Sequence, residues 1–227
     1  MKTLLSVLGG QLPKLVMFDL DGTLIDSVPE LADATDQMLL QLGRAPAGIN
    51  KVRNWVGNGA PVLVRRALAG GYDHQAISAE QEAEALAIFM QAYGEVDSQT
   101  TVYPGALECL SSLHKLGIKM AMVTNKPEEF LPNLLADIDM AQYFEWVVGG
   151  DTFPQKKPDP AGLLWVMQQA GVAAEECLFV GDSKNDVHAA HAAQVACVAV
   201  TYGYNYGEPI SSESPALVVD DLRELFL

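Results

Sequence analysis

Positive charge is scarce in this sequence. Its 227 residues include 14 lysines and arginines against 29 aspartates and glutamates, and the formal net charge is −15. No stripe of basic residues runs along the chain, although binding to nucleic acid or to an anionic membrane surface would require one. We therefore predict no nucleic acid partner and no membrane partner. If the ligand is itself an anion, a few cations must be placed beside it locally.

Cysteines and long apolar runs are also few. Cys109, Cys177 and Cys197 are odd in number and lie in apolar stretches, which favours buried free thiols in a reducing compartment over a disulfide. No stretch reaches the roughly 18–20 apolar residues that a membrane span needs. The first ten residues imitate a signal peptide only faintly, because their apolar stretch is very short. We predict a cytoplasmic protein.

The apolar pattern indicates two kinds of structure. A short apolar run at residues 14–18 is typical of a buried parallel strand, whereas residues 28–99 show helical spacing and no strand signal. After residue 105, apolar runs alternate with helical stretches, which is typical of a parallel sheet covered by helices. These later runs lie at residues 118–123, 146–148, 177–180, 195–200 and 217–219.

The predicted fold class is therefore α/β, with a Rossmann-like parallel sheet core that carries helices on both faces. An all-helical cap domain is inserted just after the first strand. We place the core domain at residues 1–26 and 100–227 and the cap domain at residues 27–99. We expect a monomer or a homodimer.

Polar residues follow four of the predicted strands. In open α/β sheets ligands bind beyond the carboxyl ends of the strands, so these residues are expected to converge at one edge. In chain order they are Asp19 and Asp21, Thr124 and Asn125, Lys157, and Asp182 with Asp186.

This set of residue types suits phosphoryl transfer. Asp19 and Asp182, with help from Asp21, offer the hard oxygen ligands that Mg²⁺ prefers. Lys157 and the Thr124 hydroxyl can neutralise or bind phosphoryl oxygens, and a helix predicted to start at residue 127 would add backbone N–H groups. Asp21, two residues after Asp19, can donate a proton to a leaving oxygen and later take one from water.

The segments Asp19-Leu20-Asp21-Gly22-Thr23-Leu24, Thr124, Lys157-Pro158 and Gly181-Asp182-Ser183-Lys184-Asn185-Asp186 resemble the four motifs of the haloacid dehalogenase-like hydrolase superfamily. The match in order, residue type and spacing covers nearly the whole chain. It implies that Asp19 is a nucleophile that becomes transiently phosphorylated and that Asp21 is the general acid and base. It also implies that Thr124, with Asn125 beside it, and Lys157 bind phosphate. Mg²⁺ would be held by Asp19, the backbone carbonyl of Asp21, and Asp182.

The predicted cap carries a second resemblance. Residues 54–60, with Asp26 and Ser27, are similar to bacterial phosphoglycolate phosphatases, which implies 2-phosphoglycolate as the substrate. The Gly57-Asn58-Gly59 turn would present backbone N–H groups to the substrate carboxylate, or it is only a turn between helices. Two further questions stay open. Asp186 either faces the metal or supports its ligands, and Arg65 and Arg66 are either solvated or reach the substrate.

The predicted function is a Mg²⁺-dependent phosphatase for a small phosphate monoester. The alternatives are a phosphatase for a different small ester, a phosphomutase on the same scaffold, a metal-independent dehalogenase, and a phosphorylatable signalling domain. Length and the helical insert argue against the signalling domain. Asp21 and Asp182 argue against the dehalogenase, because both suit a mechanism with a metal and an acid.

Overall fold

The computed structural model describes residues 2–95 and 99–227. Its backbone forms two compact units, Met1–Ile25 with Val102–Leu227, and Asp26–Thr101. The helices are α1 Lys2–Val7, α2 Val28–Gln41, α3 Ile49–Trp55, α4 Ala60–Ala69, α5 Ala79–Glu95, α6 Ala106–Lys115, α7 Leu131–Asp137, α8 Ala161–Ala170 and α9 Lys184–Ala192. The strands are β1 Leu15–Phe18, β2 Ile25–Asp26, β3 Thr101–Val102, β4 Lys119–Val123, β5 Trp146–Val148, β6 Cys177–Gly181, β7 Ala196–Val200 and β8 Leu217–Val219.

The first unit is built on a six-stranded sheet in the order β5-β4-β1-β6-β7-β8. Every neighbouring pair in it is parallel. Strand β1 lies in the middle, and its last residue, Phe18, is in register with Met122 and with Val180. The three central strands therefore end at the same level. A separate two-stranded sheet joins β2 and β3. The predicted α/β class is confirmed.

Both faces of the parallel sheet are buried, which explains why its strands read as unbroken apolar runs. Side chains of β1 alternate between the faces, as a period of two requires. Val16 and Phe18 pack into the core under α6 and α7, and Leu15 and Met17 pack into the core under α8 and α9.

One predicted helix start is wrong. The chain does not enter an α-helix at Pro127, because the backbone there is extended, with ψ 138°. A short 3₁₀ turn at Glu128–Phe130 follows, and α7 begins only at Leu131, where a proline in the first helical turn fits the required φ. The α-helix N-terminus expected at residue 127 is therefore absent there.

The second unit consists of helices α2–α5, as the helical spacing of residues 28–99 predicts. The Asp36 carboxylate accepts hydrogen bonds from the backbone N–H groups of Ala47 and Gly48 and so fixes the entry to α3. The Phe89 and Tyr93 rings stack with centroids 5.7 Å apart. The predicted cap boundaries of 27 and 99 lie close to the limits of this unit, and its action as a cap stays a prediction. Among the described residues, no helix is both long and apolar enough to cross a membrane.

Candidate active site

Asp19 and Asp21 leave the carboxyl end of the central strand. The Asp19 backbone N–H donates to the Val180 carbonyl at 2.9 Å, so Asp19 continues the ladder between β1 and β6. The chain then turns sharply at Gly22, whose φ of +92° is a conformation that favours glycine. The Gly22 N–H closes the turn on the Ile25 carbonyl at 2.8 Å. Both carboxylates are thus set by backbone bonds at the end of the sheet.

A buried lysine joins two of the carboxylates. Lys157 Nζ lies 2.8 Å from Asp19 Oδ1 and 2.6 Å from Asp186 Oδ1, and its side chain is 3% exposed. Burial opposes the charge of the ammonium, but the Asp186 and Asp19 charges outweigh that effect and raise the pKa of Lys157. The Asn125 side-chain amide donates to the Lys157 carbonyl at 2.9 Å. Asn125 therefore holds the lysine's backbone in place.

Asp186 contacts both Lys157 and the loop that carries Asp182. Its Oδ2 accepts hydrogen bonds from the N–H groups of Asp182 and Ser183 and from the Ser183 hydroxyl, at 3.2, 2.9 and 2.7 Å. The Ser183 and Asp186 pair forms a capping box at the start of α9. Asp186 thus supports the loop that carries Asp182 and, through Oδ1, positions Lys157.

Asp182 is held from two sides. The Thr23 hydroxyl donates to its Oδ1 at 2.9 Å, and the Tyr204 N–H donates to its Oδ2 at 2.6 Å. Burial, followed by the charges of Asp186 and Asp19, raises the pKa of Asp182 well above its ordinary value. Burial likewise raises the pKa of Asp19 to about 7, although Lys157 acts in the opposite direction.

These buried carboxylates fit a divalent cation. Asp19, Asp182 and Asp186 each offer an oxygen, and the three oxygens lie within 4.8 Å of one another. Hard carboxylate oxygens suit Mg²⁺. Burial raises the pKa of both Asp19 and Asp182, so their negatively charged forms are costly without a further cation. A cation at this place would relieve that cost.

Thr124 and Lys126 complete the edge of the sheet. The Thr124 N–H donates to the Val148 carbonyl at 3.0 Å, and its hydroxyl oxygen accepts from the Lys126 N–H at 3.2 Å. The Lys126 side chain is 3% exposed, and its Nζ lies 3.1 Å from Asp21 Oδ1. Sequence reasoning missed Lys126. The available signal was its place two residues after Thr124, at the end of an apolar strand.

Sequence reasoning also missed the loop after β7. Gly203 lies against Asp182 so closely that a Cβ at this position would overlap the Asp182 Cβ and carboxylate. Gly22 lies against the same carboxylate. The following residues, Tyr204 and Asn205, bond to Asp182 and to the Lys184 N–H at the start of α9. Nothing in residues 203–205 forms a recognisable motif, so the sequence offered no signal for them.

Replacing Gly203 by alanine is expected to lower the free energy of unfolding by about 1–3 kcal/mol, because the added methyl group must displace Asp182. Phosphate release should fall with it, since the Asp182 carboxylate moves. Thermal unfolding and a phosphate-release assay measure the two effects. Gly71→Ala is the matched control, because a Cβ there meets no atom within 4 Å. Equal behaviour of the two variants would contradict the prediction.

The predicted cap turn lies in the helical unit. Gly57 and Gly59 have φ values of +115° and +84°. Arg66 Nη2 donates to Asn58 Oδ1 at 2.9 Å, and Arg66 Nη1 donates to the Trp55 carbonyl at 2.6 Å. Arg66 thus organises the turn, and substrate binding by Gly57, Asn58 and Gly59 stays a prediction.

Arg65 has a structural role within the same unit. Its guanidinium contacts Glu82 Oε2 at 2.9 Å and donates to the carbonyls of His74 and Ile77. These bonds tie α4 to α5, through Glu82, and to the segment before α5. The expectation that Arg65 is simply solvated is therefore wrong, since its guanidinium makes several bonds to protein.

Comparison with known proteins identifies the family of this chain. Residues 13–194 match the family model described as haloacid dehalogenase-like hydrolase. A phosphoglycolate phosphatase of Pseudomonas fluorescens (strain Pf0-1) is 62% identical over 216 residues, which are 95% of this chain and 79% of the relative. Phosphoglycolate phosphatase 1 of Pseudomonas aeruginosa is 58% identical over 215 residues, with the same shares of the two chains.

A solved structure with a similar sequence has the same fold. A crystal structure of a predicted phosphoglycolate phosphatase from Haemophilus somnus 129PT superimposes with a TM-score of 0.87 at 36% identity, covering 94% of this chain and 96% of that one. The chain therefore belongs to the haloacid dehalogenase-like hydrolase family. Within that family it is a phosphatase, an enzyme that hydrolyses phosphoric monoesters.

Proposed function

We propose that the enzyme hydrolyses 2-phosphoglycolate to glycolate and phosphate, with Mg²⁺ as its cation and with a phospho-aspartate intermediate on Asp19. The observation that carries the chemistry is the buried contact of Lys157 with Asp19 beside Asp182, at the carboxyl ends of the central strands. The substrate rests on relatives named phosphoglycolate phosphatase that are 58–62% identical over 95% of this chain.

Asp19 is the proposed nucleophile. A bond forms between its carboxylate oxygen and phosphorus while the bond from phosphorus to the leaving oxygen breaks. Lys157 holds Asp19 Oδ1 at 2.8 Å and brings a fixed positive charge to the place where phosphoryl charge accumulates. The Thr124 hydroxyl has a donor that its contact with Lys126 does not use, and we assign that donor to a phosphoryl oxygen.

Asp21 is the proposed general acid and base. It gives a proton to the leaving oxygen in the first step. In the second step it takes a proton from the water that attacks phosphorus, and the Asp19–phosphate bond breaks to return the carboxylate. Lys126 lies 3.1 Å from Asp21 Oδ1 and helps to fix that carboxyl group in place.

Asp19, Asp182 and the backbone carbonyl of Asp21 are the proposed ligands of Mg²⁺, and Asp186 supports them. When bound, the cation supplies positive charge against the phosphoryl oxygens and so reduces the repulsion between substrate and Asp19. The helical unit is the proposed cap domain, with Gly57, Asn58 and Gly59 at the substrate. Cytoplasmic location and a monomeric or homodimeric state remain predictions.

A phosphate-release panel tests the substrate. It compares kcat/KM for 2-phosphoglycolate, sugar phosphates, nucleotides and pyrophosphate, with and without Mg²⁺. A clear preference for 2-phosphoglycolate is expected. Similar kcat/KM values for all the esters would contradict the assignment of 2-phosphoglycolate as the substrate. A requirement for a bisphosphate activator would favour a phosphomutase.

Removal of divalent cations is expected to abolish activity. EDTA should reduce phosphate release to the background level, and added Mg²⁺ should restore it. Because the cation binds the folded state, Mg²⁺ should also stabilise the protein. The stabilisation should be about 2.7 kcal/mol at a Mg²⁺ concentration 100 times the dissociation constant. Thermal unfolding with and without Mg²⁺ measures this second effect. Full activity in EDTA would contradict the cation assignment.

Replacing Asp21 by asparagine is expected to lower kcat by ~10²–10⁴-fold, the usual contribution of a positioned acid and base. Asp19 should still be phosphorylated by an ester with a good leaving group, because such a group leaves without a proton. The phosphorylated intermediate should then accumulate and be visible by intact-protein mass spectrometry after rapid quenching. Rapid breakdown of that intermediate would contradict the role of Asp21 as base.

A further inference from the structure

Lys126 is a buried cation that the proposed chemistry does not require for the phosphoryl group itself. Its backbone is fixed on both sides, since its N–H donates to the Thr124 hydroxyl at 3.2 Å and its carbonyl accepts from the Gly150 N–H at 2.8 Å. Its side chain is 3% exposed and its Nζ is 3.1 Å from Asp21 Oδ1. Burial of an ammonium group is costly, so its presence here calls for a function.

The two buried lysines of this edge serve different carboxylates. Lys157 contacts Asp19 and Asp186, and it therefore lies beside the atom that attacks phosphorus. Lys126 contacts Asp21, the residue proposed above as the acid that serves the leaving oxygen. Lys126 is thus placed on the side of the leaving group, whereas Lys157 is placed on the side of the nucleophile.

Covalent geometry relates this position to the substrate. In 2-phosphoglycolate the carboxylate carbon is two bonds from the ester oxygen, or about 2.5 Å. Asp21 must approach that ester oxygen to about 2.5–3.0 Å in order to donate a proton. The Lys126 ammonium, 3.1 Å from Asp21, is then close enough for a direct hydrogen bond to a carboxylate on the leaving group.

We infer that Lys126 determines specificity by binding an anionic carboxylate on the leaving group, next to the ester oxygen. The inference rests on the proposed function, because it assumes that Asp21 serves the leaving oxygen. An ammonium group donates up to three hydrogen bonds, so it can contact Asp21 and a substrate carboxylate together. An ester without the carboxylate leaves the buried Lys126 ammonium less well compensated, so it reacts more slowly.

The test compares two esters of nearly equal size, 2-phosphoglycolate and 2-hydroxyethyl phosphate, which differ in having a carboxylate or a hydroxymethyl group. The ratio of their kcat/KM values is measured for the wild-type enzyme and for Lys126→Met and Lys126→Gln. Glutamine can still donate to Asp21, so it keeps the variant set informative if the methionine variant does not fold. Lys115→Met, on the exposed side of α6, removes the same charge elsewhere.

The wild-type enzyme should prefer the carboxylated ester. The Lys126 variants should lose about 10–10²-fold of that preference, the scale of a hydrogen bond between charged groups, mainly through KM for 2-phosphoglycolate. Lys115→Met should keep the preference. If both esters lose activity equally, Lys126 acts only through Asp21 and the inference is overturned, while the proposed substrate stands. An unchanged ratio with full activity also overturns it. A wild-type enzyme without preference refutes the proposed substrate and the inference together.

Discussion

Replacing Asp19 by asparagine is expected to lower kcat for phosphate release by roughly 10⁶-fold, the scale on which loss of a catalytic nucleophile acts. The amide has nearly the same shape, and its oxygen can still accept from Lys157. It cannot form a stable bond to phosphorus as a carboxylate does. A sensitive assay of inorganic phosphate with 2-phosphoglycolate, together with a search for the phosphorylated intermediate, measures the effect.

The same substitution should leave the fold intact or stabilise it. Burial raises the pKa of Asp19 to about 7 from 3.8. A carboxyl group with a raised pKa favours the folded state at low pH, and that contribution is lost as the pH rises through 7. Above pH 7 in EDTA, the neutral asparagine avoids the cost of the buried charge. The melting temperature of Asp19→Asn should therefore equal or exceed that of the wild type.

A matched control separates charge from chemistry. Asp137→Asn removes one negative charge from an exposed position on α7 and should keep activity within about twofold, as most surface substitutions have little effect. If Asp19→Asn kept more than about 1% of wild-type activity, the loss would be below the 10²–10⁴-fold range of an acid–base residue. Asp19 would then not be the nucleophile.

Replacing Lys157 by methionine is expected to affect both stability and catalysis. The ammonium is 2.8 Å from Asp19 and 2.6 Å from Asp186, and it is almost entirely buried. Removing one partner of a buried ion pair leaves uncompensated charge and costs about 3–5 kcal/mol. For a chain of this size the melting temperature should fall by roughly 6–20 °C. Activity should fall by at least 10²-fold, because a fixed charge beside the phosphoryl group is lost.

A second substitution tests the cause of the lost stability. The double variant Lys157→Met, Asp186→Asn also lacks the buried negative charge at position 186. Its asparagine oxygen can still accept from the Ser183 N–H. The double variant should recover part of the lost melting temperature without recovering activity. If it is no more stable than Lys157→Met, the loss comes from packing and not from charge.

Much of the site could be predicted because it follows the register of the sheet. Asp19 and Thr124 come directly after an apolar run, and Asp182 follows one after a single glycine. Parallel strands that end at one level bring such residues together. The segment Asp19-Leu20-Asp21-Gly22 also predicts a turn, because it ends in glycine, and the structure has a turn at Gly22. Alternation of strands and helices was sufficient for the fold class.

The residues that escaped prediction are those whose importance comes from tertiary contacts. Gly203 is a glycine because Asp182 lies against it, and no local pattern shows that contact. Lys126 is buried with Asp21 as its partner across a long stretch of sequence, whereas lysine side chains are mostly exposed. The helix expected at Pro127 begins at Leu131 instead, since the extended backbone at Pro127 delays it.

The backbone bonds that continue past β1 and β4 have a consequence for the reaction rate. Asp19 donates to Val180 and Thr124 donates to Val148, so two reacting positions are rungs of the sheet itself. Groups held in this way need little reorganisation when the substrate arrives, because folding has already oriented them. Fraying of these last rungs would therefore slow the chemical step while most molecules were still folded. On warming, activity should therefore begin to decline at a lower temperature than that of the global unfolding transition.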